Sequence, residues 1–325
     1  MSTSGTVSFV VTRDDIITQA LIDIGVIAEG ETPNAYQIQV AARKLNMMVK
    51  LWQGQADFAP GLKVWSRVRA DLVLDPTTSV YSLGPTSTNR WAANLKRTNI
   101  TANCATGATV IPLSSTTGMT NGDNFGVLLQ NGSIYWTTVT FSGSNATIPS
   151  PGLPSPAIAN GFVYDYTSLA IQPLEILAGS LVDSSNTKIP LEKLTLQRYE
   201  ALPTTLDPNT ASDPLAYYYE RQLGNGVLYL NTYPADLSKY LHFVFLSPIQ
   251  DFNEPTDNPD YPQNWYLALS AGLAVLLAPS FGKVLTEDLK NIAATALRIA
   301  QNQDPEESQL FFQPDADPPF FGSLE

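Results

Sequence analysis

The chain has 325 residues, a length at which one core stops growing and two or more are expected. Apolar residues make up 44%, which excludes wholesale disorder, whereas charged residues reach only 15% and prolines number 24, too many for a mostly helical protein. A net charge of −12 argues against a general binder of nucleic acid or anionic membranes. The single cysteine, Cys104, excludes disulfide frameworks and thiolate zinc sites, and the single histidine, His242, excludes most His-based catalysis. No signal peptide is read at the start, and the apolar run 265–278 is shorter than the ~20 residues of a spanning helix. The expectation is a soluble protein that is not an enzyme and needs no cofactor.

Charge is unevenly placed. Residues 1–99 carry ten Lys/Arg and eight Asp/Glu, and residues 100–325 carry eight and twenty-two. Between 100 and 164 the one charged residue is Asp123, so this stretch reads as a separate module.

In chain order, Thr12-Arg13-Asp14-Asp15 predicts a capping box at a helix N-terminus. Ile16, Ile17, Ala20, Leu21 and Ile24 share one face, and Gly25 supplies a left-handed stop. A second helix is predicted with Thr32 as N-cap and Pro33 at its first position. Its apolar stripe is Ile38, Ala41, Ala42, Leu45, Met48, Val49 and Trp52, with Gly54 closing it and the Met47-Met48 pair read as core packing. From residue 63 the period changes to two, predicting a strand from Val64 to Leu74 and a return strand over Val80–Leu83.

Residues 100–164 hold about five short strands with frequent turn signals, as in a small antiparallel barrel or sandwich that could be deleted without unmaking the rest. Farther on, Gly224-Asn225-Gly226 predicts a hairpin between 217–220 and 227–230. Tyr240–Leu246 is apolar on both faces and reads as a central strand; His242 within it reads as structural. Residues 262–278 predict a helix buried on most faces and ended by Pro279. Thr286-Glu287-Asp288 caps a last helix bearing Leu289, Ile292, Ala293, Ala296 and Ile299.

The fold class expected is α+β: a four-helix domain built from both termini, a β-rich middle, and an inserted small antiparallel β-barrel or sandwich. The helical domain takes 1–60 and 260–302, the β domain 61–90 and 167–259, the inserted module 91–166, and an extended tail 303–325.

Chemical motifs are sparse. The sequence has no phosphate loop, nucleophile elbow, HExxH or dinucleotide fingerprint. The acidic run 251–260 lacks the spacing of an EF-hand and reads as a solvated turn favouring the N-terminus of the helix that follows. No carboxylate spacing selects a glycosidase pair. Residues 301–325 carry six acids and no Lys or Arg, with Phe311, Phe312, Phe320 and Phe321 among prolines. These phenylalanines either anchor the tail on a partner or pack back on their own subunit.

The run Thr12-Arg13-Asp14-Asp15-Ile16-Ile17, Ala20-Leu21-Ile22-Asp23-Ile24-Gly25, Glu29-Gly30-Glu31-Thr32-Pro33, Leu45-Asn46-Met47-Met48 and Trp52 resembles the N-terminal helices of head-to-tail adaptors. These are the tail accessory or packaged-DNA stabilisation proteins of short-tailed bacteriophages. Tyr217-Tyr218-Tyr219, Gly226-Val227-Leu228-Tyr229-Leu230, Tyr233-Pro234 and Ser247-Pro248-Ile249-Gln250-Asp251-Phe252 resemble the same family's β-domain. Tyr261-Pro262 and Leu277-Ala278-Pro279-Ser280-Phe281-Gly282 resemble its C-terminal helices. The resemblance covers about 12–90 and 170–300 and rests on motif order. Gln172-Pro173-Leu174 stands where the family often has Arg-Pro, and 91–166 is an insertion relative to the shortest members.

The resemblance implies a virion protein without catalytic residues, assembled in the host cytoplasm and placed at the head–tail junction. It implies a ring of about twelve copies below the portal. The partners would be the portal, a downstream tail or nozzle protein, and DNA passing through without sequence-specific binding; no membrane is involved. The four tail phenylalanines would bind the portal. The alternative reading is a tail-tip carbohydrate- or receptor-binding module, with Tyr135, Trp136 and Tyr164 as its stacking surface. A secreted glycoside hydrolase is a third reading, disfavoured by the missing signal peptide.

Overall fold

The computed structural model describes residues 5–6, 8–54, 65–202 and 208–302. It is a mixed α+β protein, mostly β, with several sheets. The helices are α1 Arg13–Asp23, α2 Ala35–Gln53, α3 Leu196–Glu200, α4 Tyr266–Leu277 and α5 Glu287–Asn302. The chain divides into two compact units, Met1–Trp65 with Asp251–Glu325, and Ser66–Gln250.

In the first unit α4 packs against α1, α2 and α5. Helix α1 starts where its capping box places it: Thr12 Oγ1 accepts the Asp15 N–H at 3.2 Å and the Asp15 carboxylate accepts the Thr12 N–H at 2.9 Å. Ile16, Ile17, Ala20 and Leu21 are buried, and Gly25 takes the left-handed conformation at φ 65°. Helix α2 starts two residues later than Thr32 predicts. Asn34 is the N-cap, exchanging hydrogen bonds with Gln37 at 2.8 and 2.9 Å, a reciprocal box that Thr32 has no partner to form.

Ala41, Leu45, Met48, Val49 and Trp52 are buried as expected, but Met47 is 62% exposed, so only half of the methionine pair is core. Gly272 of α4 makes this packing possible. A Cβ there would lie 3.1 Å from the Met48 sulfur and 3.2 Å from the Trp52 ring.

Two short 3₁₀ turns, Gln263–Trp265 and Ala278–Phe281, flank α4. Together Gln263–Phe281 are long and apolar enough to cross a membrane, and half of the segment is buried inside the unit. Leu269, Leu273, Ala274 and Leu277 are buried, whereas Leu267 near the start of the helix and Leu276 near its end are exposed. On α5 only Ala296 and Ala300 are buried; Ile292 and Ile299 are each about half exposed. Its apolar stripe is thus turned partly to solvent. The acidic run 251–260 serves α1 rather than the helix after it. The carbonyls of Asp257 and Pro255 accept the Arg13 and Asp14 N–H groups, and the Asn253 carbonyl accepts from the Arg13 guanidinium at 2.8 Å.

The strands of the second unit are, in order, β1 Arg67–Val73, β2 Val80–Leu83, β3 Trp91–Ala92, β4 Lys96–Asn99, β5 Val110–Pro112 and β6 Asn124–Leu128. Then come β7 Ile134–Thr138, β8 Thr140–Ser142, β9 Asn145–Thr147, β10 Phe162–Tyr166, β11 Glu175–Val182 and β12 Lys188–Pro190. The last four are β13 Glu192–Lys193, β14 Ala216–Glu220, β15 Gly226–Leu230 and β16 Tyr240–Leu246. One sheet runs β12-β11-β16-β1-β3 and a second runs β13-β14-β15-β2. They share a core in which Tyr81, Trp91, Tyr217, Phe243 and Phe245 are fully buried.

Strand β16 is central, but only Leu241, Phe243 and Phe245 on one face are buried. Strand β2 is not a return partner of β1; it pairs with β15 in the other sheet, since the Asp75 turn redirects the chain. The hairpin β14–β15 forms, but across residues 221–225. Gly226 is already paired with Leu83, so the Asn-Gly pair is not a two-residue turn.

The inserted stretch builds two further antiparallel sheets, β4-β10-β6-β7 and β5-β9-β8. Their own core includes Ile100, Ile111, Phe125, Val127, Ala146 and Val163. This sandwich is stitched to the rest of its unit. Tyr164 OH donates to the Leu237 carbonyl at 2.6 Å, and Arg97 donates to the Ser238 and Asp183 carbonyls at 2.7 and 2.8 Å. Removing the insertion would strip donors from three carbonyls, a cost that its local strand pattern does not reveal.

Candidate functional site

The sequence-predicted portal-binding residues Phe311, Phe312, Phe320 and Phe321 lie outside the described residues. The stacking surface expected on the insertion does not form. Tyr164 is wholly buried, with its hydroxyl spent on Leu237. Tyr135 packs against the insertion core. Trp136 has both faces covered. One lies on Gly126, where a Cβ would come within 2.7 Å of the indole, and the Arg90 guanidinium sits 4.8 Å above the ring.

This covered tryptophan borders a cavity of about 340 Å³, within the range of small-molecule sites. Its floor is Val73, Leu74, Ile134 and Leu237; its polar lining is Asp75, Thr77, Thr88, Asn89, Arg90 and Ser133. Each element places its residue for a local reason. The Asp75 carboxylate caps the turn after β1, accepting from Thr77 N–H at 2.9 Å and its hydroxyl at 2.6 Å. Asn89 Oδ1 accepts the Ser82 N–H at 2.7 Å. Arg90 is held by Trp136 beneath it and by a hydrogen bond to Tyr166 OH at 3.0 Å. Tyr166 in turn meets Trp136 edge-on, at 5.6 Å between ring centroids.

Among the described residues no carboxylate forms an ion pair with Arg90, whose positioned guanidinium lines the cavity together with the Asp75 carboxylate. Sequence reasoning missed it because its supports lie far along the chain. The one local signal was Gly126, a glycine inside an apolar strand, which marks a close approach.

Elsewhere in the unit, His242 Nδ1 lies 2.6 Å from Asp71 Oδ1 across the β1–β16 register, so its neighbourhood is not purely apolar. Asp123, the lone charge of 100–164, is buried beside Asp165. Burial, then the adjacent Asp123 carboxylate, pushes the Asp165 carboxyl up to about 8. Asp165 Oδ1 itself has no hydrogen-bond partner. Cys104 is buried, and desolvation raises its thiol. In the helical unit Asp257 is held below the usual carboxylate range by the N–H groups of Glu254 and Asn253. No group of three or more His, Cys, Asp or Glu that could hold a metal occurs among the described residues.

The arrangement offers a positioned cation, hydroxyls and apolar side chains, which suits binding. No protein-family model matches the chain, and no curated protein matches it.

Proposed function

We propose that the chain is a structural virion protein, a head-to-tail adaptor that joins capsid to tail, continues the DNA channel and helps retain packaged DNA. The observation that carries this reading is the grouping of both ends of the chain into one unit, with the β-rich stretch between them forming the other. We read α1, α2, α4 and α5 as a four-helix domain built from both termini, the plan implied by the motifs it resembles.

The surface of that unit supports the reading. Phe9, Tyr36, Met47, Leu51, Leu267 and Val284 are all more than half exposed. Apolar side chains so placed suit broad contacts with other subunits rather than a pocket. A ring of about twelve copies needs two complementary faces on every subunit, which such a surface can provide. An overall charge of −12 suits a conduit, because an acidic wall repels the phosphates and lets the duplex slide.

On this reading the portal and a downstream tail or nozzle protein are the partners. The protein assembles in the host cytoplasm and ends at the head–tail junction, without a membrane role. Imaging of the purified chain mixed with portal rings tests it: a second ring stacked coaxially on the portal is expected, and bare portal rings beside free chain would refute it.

A further inference from the structure

We propose that the Arg90 cavity of the second unit is a binding site for a carboxylated sugar of the uronic acid class. The inference goes beyond the adaptor reading and does not depend on it.

The argument starts from Gly126. Lacking a Cβ, it lets Trp136 lie flat on β6, and the flat indole becomes the shelf on which the Arg90 guanidinium rests at 4.8 Å. The Tyr166 hydroxyl fixes the guanidinium from one side. Three residues, Gly126, Trp136 and Tyr166, on strands β6, β7 and β10, are thus committed to positioning one arginine. A guanidinium placed this way offers the planar fork that matches a carboxylate, and its immobilisation cost is already met in the free protein.

The rest of the lining specifies the remainder of the ligand. Leu74, Ile134 and Leu237 give an apolar floor for the C–H face of a pyranose. Thr88 and Asn89 offer hydrogen bonds to ring hydroxyls, and Asp75 at the same lining accepts from hydroxyls. A ligand with one carboxylate, several hydroxyls and an apolar face satisfies all three elements. A neutral sugar would leave Arg90 unpaired, and a simple dicarboxylate would leave the floor and the hydroxyl partners unused.

The test uses the intact chain titrated with a galacturonic acid dimer, its methyl ester, and glutarate, followed by nuclear magnetic resonance and calorimetry. The acid is expected to bind at least ~10-fold more tightly than the ester, as expected for one charge-assisted pair. Arg90→Gln should reduce the acid to the level of the ester. Thr88→Trp should abolish binding at an unchanged melting temperature, because Thr88 is an exposed lining residue whose side chain makes no hydrogen bond among the described residues. This second variant keeps the test decisive if Arg90→Gln does not fold. Equal binding of acid and ester, undiminished binding by Thr88→Trp, glutarate binding as tightly as the dimer, or no binding at all would each overturn the proposal.

Discussion

Replacing Asp165 by asparagine should abolish most of the pH dependence of the second unit's stability between pH 5 and 8. Asp165 is 1% exposed and Asp123 beside it 3%, and the Thr120 N–H already occupies Asp123 Oδ2 at 2.8 Å. Burial, and then the adjacent Asp123 carboxylate, keeps the Asp165 carboxyl protonated, titrating at about 8 against an ordinary 3.8.

The sign follows from the raised value. Below about pH 4 the carboxyl is protonated whether the chain is folded or not, and the fold keeps its full stability. Above that, the unfolded chain ionises and the folded one does not, so stability falls by ~1.4 kcal/mol per pH unit until Asp165 itself ionises near 8. From pH 5 to 8 the loss is ~4 kcal/mol. Asparagine keeps a donor for Asp123 and carries no titrating proton. Urea melts followed by far-ultraviolet circular dichroism at intervals across this range should show a falling midpoint for the wild type and a flatter line for Asp165→Asn. Comparing the two proteins cancels whatever else titrates. Parallel lines would refute the raised Asp165 value.

Other perturbations have expected outcomes of their own. Leu45→Asp or Leu273→Asp places a charge at a fully buried position of the helical unit and should cost ~3–5 kcal/mol in a urea melt. Gly126→Val must push Trp136 off its shelf, which should lower stability by ~1–3 kcal/mol and change the indole resonance of Trp136 in nuclear magnetic resonance spectra. Thr12→Ala removes a reciprocal cap and should cost ~1 kcal/mol, with faster hydrogen exchange in the first turn of α1.

What the sequence disclosed was local, and what it withheld was not. The Thr12–Asp15 cap and the Gly25 stop are written within four residues of where they act, and both formed. The Asn34–Gln37 box was as local, yet Thr32-Pro33 upstream offered an equally good start, and only the reciprocal hydrogen bonds decide between them. Strand periodicity placed Val80–Leu83 within its bounds, but periodicity carries no information about the partner, and the strand joined β15 almost 150 residues on. Likewise Asp71 and His242 meet only because β1 and β16 pair.

The cavity shows the same limit. Trp136 invited a stacking role because its type suits one, while the facts that forbid it are a glycine under one face and an arginine from another strand connection over the other. Amphipathic pattern also overstated burial. Ile292 and Ile299 lie on the expected stripe of α5, but only Ala296 and Ala300 of that helix are buried and the two isoleucines stay half exposed. Such uncovered apolar positions are what an assembling subunit would present.

The ring is the central claim, and native mass measurement tests it most directly. The intact chain should shift from its 35.3 kDa monomer to a closed complex with about twelve copies when purified portal is added. A chain that stays monomeric at every portal concentration, or that joins portal in a sub-stoichiometric ratio, would contradict the account.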